Sequence, residues 1–169
     1  EPCTAHGSIF FCENINARID VDTLPLLTKH LNTIAYKIDE IEGIGPAYAA
    51  KLTDAAGIST TEDLLKAGET KKGREQIAQQ TGIAEKLILT WVNHADLFRI
   101  KGVAGQFAEL LEAAGVDTVK EFAHRVPENL EKKLVEVNEQ KHLCGRVPSV
   151  VELTKMIDQA KELPPAVKY

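Results

Sequence analysis

The sequence predicts an all-α fold, a tandem (duplicated) pair of helix-hairpin-helix units packed as one compact helical domain with an N-terminal arm. Three observations carry this reading. From Tyr36 onward apolar residues recur at three and four, as in Leu87, Ile88, Trp91, Val92 and Ala95, and no β-branched alternation occurs. The chain matches itself: "IEGIGPAYAAKLTDAAGISTTEDLL" superposes on "IKGVAGQFAELLEAAGVDTVKEF", Ile41 on Ile100, Gly43 on Gly102, Ile44 on Val103, Tyr48 on Phe107, Ala49 on Ala108 and Leu52 on Leu111. Each copy also opens on a glycine-hydrophobic turn directly before a helix.

Residues 1–35 form the arm. They show no sustained period beyond a short helical stretch in "TLPLLTKHLNTI", and are expected to pack on the core or on a neighbouring chain. Residues 36–99 form the first unit. Gly43 and Gly45 flank Ile44, allowing positive φ and close approach of two helices, with the isoleucine as plug. Pro46 suits the first position of the next helix, where its missing N–H is not needed. Gly57 fits a left-handed helix end, and Thr60 with Asp63 has the spacing of a capping box. "TKKGREQIAQQTG" leads to a helix at Ala84 to Asp96.

Residues 100–169 form the second unit. Relative to the first, it lacks one residue before Gly115, the partner of Gly57. Thr118 and Glu121 then repeat the box spacing. "PENLEKKLVEVNEQ" precedes a helix at Ser149 to Glu162, where Ser149 and Glu152 have that spacing again, and Met156 takes the place of Trp91. Pro164 and Pro165 end the helical pattern.

Charge and composition narrow the function. Among 169 residues, 20 Lys and Arg stand against 25 Asp and Glu, a net charge of -5 with no basic segment of the kind strong nucleic-acid binders carry. No apolar run approaches the roughly 20 residues of a membrane span, so the chain reads as soluble. No Ser-His-Asp set, GxSxG elbow or P-loop is present, and no enzymatic activity or cofactor is expected. Localisation turns on Glu1: an organellar or exported protein if it is a processed terminus, a cytoplasmic one otherwise.

The turns are the candidate binding elements. Backbone N–H groups at a helix N-terminus can hold a phosphate oxygen, which nominates Gly43 and Gly45, and in the second turn Gly102 and Gly105 with Lys101 and Gln106. Glu42 and Pro46 disfavour the first turn; the second is the better candidate. Cys3 and Cys12 could close a disulfide, stay as free thiols, or join His6 at a metal. His142 and Cys144 would need two further ligands from that group. His94 and Asp96, two apart on a helix, read as a poor pair, with His94 partly exposed and Trp91 in the core. Lys71, Lys72 and Arg74 form a basic knot at a helix start, flanked by Glu69 and Glu75; it reads first as a solvated mixed-charge face, and otherwise as a knot retained for a partner.

At "IEGIGPAYAAKL", "WVNHADLFRIKGV" and "LLEAAGVDTVKEF" the 36–163 region resembles the bacterial domain-of-unknown-function family 4332. The resemblance implies a tandem helix-hairpin-helix fold and brings no activity, ligand or catalytic residue; the extra residue in "LTDAAG" departs from its shorter loop. The functional expectation is a non-catalytic interaction or scaffold protein, a subunit or accessory of a larger assembly, with a protein partner. The alternative is sequence-independent DNA or RNA phosphate-backbone binding through the turn amides.

Overall fold

Helix starts and stops follow the local chemistry of the chain. The computed structural model describes residues 35–169, so the arm up to Ile34, with Cys3, His6 and Cys12, lies outside the described residues. The chain enters extended: Lys37 bridges Thr60 antiparallel, Ile38 N–H donates to Ser59 O and Thr61 N–H to Tyr36 O. A 3-10 turn at Ile38–Glu40 leads into eight α-helices: α1 Pro46–Ala56, α2 Thr61–Gly68, α3 Lys71–Thr81, α4 Glu85–Leu97, α5 Gly105–Ala113, α6 Val119–Ala123, α7 Pro127–Lys141 and α8 Val150–Glu162. That is an all-helical architecture, and no strand longer than the bridge occurs among the described residues.

Pro46 takes the first helical position and Gly57 ends α1 at φ 66°. Thr60 and Asp63 close the capping box at α2, the hydroxyl accepting from the Asp63 amide and the carboxylate from the Thr60 amide. Thr70 accepts from the Gly73 amide at α3. At α6 the box is shifted: Thr118 accepts from the Glu121 amide, but the Glu121 carboxylate takes the amide of Asp117 instead of that of Thr118. Ala84, expected as the first helical residue, is a cap, and α4 begins one residue later; Ser149 caps α8 in the box with Glu152 that its spacing predicts. The extra residue in "LTDAAG" is absorbed at the end of α1. Gly57 N–H reaches Thr53 O where Gly115 N–H reaches Glu112 O, and Ile58 and Val116 then return their amides to the matched Leu52 and Leu111.

The apolar faces bury into two adjoining cores. Ile38, Ile41, Ile44, Leu52, Leu64, Ile88 and Trp91 belong to the first; Ile100, Val103, Leu111, Phe122, Leu134 and Leu153 belong to the second. Each such side chain contributes about 1.5–3 kcal/mol relative to exposure. The end of α4 serves both, with Ala95 and Phe98 in the first core and Leu97 in the second. Helix contacts α2 to α4, α1 to α3 and α3 to α4 recur as α6 to α8, α5 to α7 and α7 to α8. No helix among the described residues is long and apolar enough to cross a membrane.

Candidate phosphate-contacting turns

Each turn places one glycine, not two, in the left-handed region. Gly43 has φ 87° and Gly102 φ 92°, whereas Gly45 caps α1 at φ -76° and Gly105 is the first residue of α5. The two left-handed glycines meet corresponding side chains of later helices. A Cβ on Gly43 would lie 3.3 Å from Trp91 Nε1, and one on Gly102 would lie 2.8 Å from Met156 Cε. Ile44 and Val103, the residues between, are buried as plugs.

Gly105 has no Cβ for a different reason. The Glu40 carbonyl oxygen stands 2.7 Å from where that atom would be, and Glu42 Cγ 3.5 Å away. The start of α5 is thus pressed against the turn before α1. Beside it, the backbone N–H groups of Gly105, Gln106 and Phe107 have no protein partner among the described residues. Lys101 and Gln106 are exposed, and the Lys101 amide donates to Gln159 Oε1 at 3.1 Å. In the first turn Pro46 supplies no donor, and the Lys51 ammonium sits 5.9 Å from the Tyr48 ring centroid. An anion at the second turn would therefore find three amides and a lysine, but also a neighbouring carbonyl and the Glu42 side chain.

The remaining candidates fall out differently from the sequence expectation. His94 is buried, not partly exposed: Nε2–H donates to Glu112 Oε2 at 2.8 Å and Nδ1 has no partner among the described residues. That hydrogen bond holds the Glu112 carboxyl below the usual carboxylate range. Asp96 is buried two residues on, with Oδ1 accepting from Arg99 at 2.7 Å and Oδ2 from the Val119 amide at 3.0 Å. The α4 carboxylate thus caps α6. Arg74 is not part of an open basic knot either. Its guanidinium is buried and Nη1 donates to the carbonyls of Gly68, Glu69 and Lys168, leaving Lys71 and Lys72 at the surface.

His142 ends α7 at φ 52°, and Cys144 is clamped by Asn138, whose Oδ1 accepts from its amide and whose Nδ2 donates to its carbonyl. Among the described residues no group of three or more His, Cys, Asp or Glu is arranged to hold a metal. What the sequence did not signal is the strap at residues 164–169, which returns from α8 to the first core. Arg99 donates to Pro164 O, Lys168 N–H to Glu69 O, and Tyr169 O–H to Asn93 Oδ1.

The residues of both turns fall within a span, 42–163, that matches the family model described as domain of unknown function (DUF4332). The chain belongs to this family. In this DUF4332 chain the matched span runs from the first turn to the end of α8, and the strap lies beyond it. No curated protein and no solved structure matches the DUF4332 chain.

Proposed function

We propose that the chain is a non-catalytic interaction or scaffold protein, a pair of helix-hairpin-helix units that serves as a subunit or accessory of a larger assembly. One observation carries the reading. Three of the four turn glycines, Gly43, Gly102 and Gly105, are spent on internal packing, against Trp91, Met156 and the Glu40 carbonyl, which supports reading the turns as joints between helices. The buried titratable side chains support it, since Asp96 and Arg74 are engaged by partners within the fold and His94 is held by Glu112. Chemistry with other molecules is left to the surface.

The unpartnered amides of Gly105, Gln106 and Phe107 beside exposed Lys101 favour a second reading, sequence-independent binding of a nucleic-acid phosphate backbone. A titration with short duplex DNA and with single-stranded RNA, at low and moderate salt, beside native mass of the chain in extracts, separates the two. The scaffold reading expects no salt-sensitive nucleic-acid binding and a native mass above that of the free chain. Binding that falls steeply with salt and is lost in Lys101→Glu would replace it with the second.

A further inference from the structure

A cavity of about 720 Å³ lies between α6 and the strap, away from both turns. Its volume is in the range of small-molecule sites, roughly 300–1,000 Å³. One wall is α6 and the residues after it, with Lys120, His124 and Arg125; the other is the strap, with Pro165, Val167 and Tyr169. Each wall brings a different chemistry, hydrogen-bond donors on one side and apolar surface on the other.

Of the acids in the lining, Asp96 is fully engaged and Glu121 half engaged. Both Asp96 oxygens accept within the fold, and one Glu121 oxygen accepts from the Asp117 amide. The donors are less so. His124 uses only Nδ1, donating to Lys120 O; Arg125 uses only Nη2, on Gly115 O; and the Lys120 ammonium has no partner among the described residues. Lys168 is excluded from this set because its ammonium is paired with Glu69. Three donor groups against one unpartnered Glu121 oxygen leave the α6 end with more open capacity to donate hydrogen bonds to an anion than to accept them.

We propose that this cavity binds a small organic anion, a carboxylate or phosphate monoester on an apolar body, with the anionic group at Lys120, His124 and Arg125 and the body against Pro165 and Val167. The polarity of the site sets that orientation. Burial, with Glu121, Asp117 and Asp96 nearby, pushes the Tyr169 phenol above its ordinary value, so the anionic group is disfavoured beside that side chain.

The test is an amide-resolved NMR titration of the whole chain with phenyl phosphate, benzoate, inorganic phosphate and benzylamine. Phenyl phosphate or benzoate is expected to saturate and to shift His124 and Ala166 to Tyr169, with inorganic phosphate weaker by at least about tenfold. The double variant His124→Ala, Arg125→Gln should weaken binding by at least about tenfold. Lys120→Glu, at a side chain with no bond among the described residues, repeats that test independently of the Gly115 turn and should weaken binding as well. Tighter binding of benzylamine, equal binding of inorganic phosphate, shifts that spare the strap, or no saturation at about 10 mM would each overturn the proposal.

Discussion

At Asp96 the two oxygens of one buried carboxylate face two donors, the Arg99 guanidinium and the Val119 amide. Asp96→Asn keeps the shape but turns an NH2 group toward one of those donors, leaving it unpaired in a buried site. A loss of about 3 kcal/mol is expected in urea unfolding, the usual cost of breaking one side of a buried ion pair. The His94 and Glu112 pair is more exposed, with 36% of the Glu112 side chain accessible, so its contribution is screened and comes to about 1 kcal/mol. Because His94 lowers the Glu112 carboxyl, that stability is present above the unfolded carboxylate value, about 4.3, and is lost as pH falls through the folded one. Glu112→Gln should accordingly cost about 1 kcal/mol at neutral pH, with the gap closing in acid, measured by denaturant unfolding across the range.

Within elements, the turns before α1 and α5 make unequal use of their glycines. Gly43→Ala must hold a positive φ against the indole of Trp91, which should cost about 1–2 kcal/mol or more. Gly45→Ala, with φ -76° and open space around it, should change stability by less than about 0.5 kcal/mol. Equal losses at the two positions in thermal unfolding would contradict this account of the turn. The boundaries of α1, α2 and α8 were legible because proline placement, a glycine stop and a capping box act within a few residues. The spacing "GIG" looked symmetric for the same local reason, and only the folded backbone distinguishes a left-handed glycine from one that caps a helix. His94 and Glu112, 18 residues apart, and Asp96 and Val119, 23 apart, belong to a class of pairing that periodicity cannot report. His94 was misjudged on that account: helical spacing gave its face relative to Asp96, but not the α5 carboxylate that meets it.

Across the described residues, 35–169, one compact unit holds both cores, and the end of α4 supplies side chains to each. Loss of either core exposes that shared wall, so the two should unfold together. Trp91 is the single tryptophan and lies in the first core, whereas far-ultraviolet circular dichroism follows the helices of both cores. The two signals are expected to give coincident transitions in denaturant, and an earlier fluorescence change would show that the first core opens alone. All-helical packing was readable at this scale from apolar spacing, whereas the strap was not, since the bond from Arg74 to Lys168 spans 94 residues and no motif marks it. That crossing bears on how such a chain can be inherited. A recombination junction between residues 99 and 100 would look clean by sequence, yet the incoming second half would bring a foreign strap to Glu69, Arg74 and Asn93. Exchange of halves between relatives is therefore expected to be constrained to pairs whose last residues still suit the other's first half.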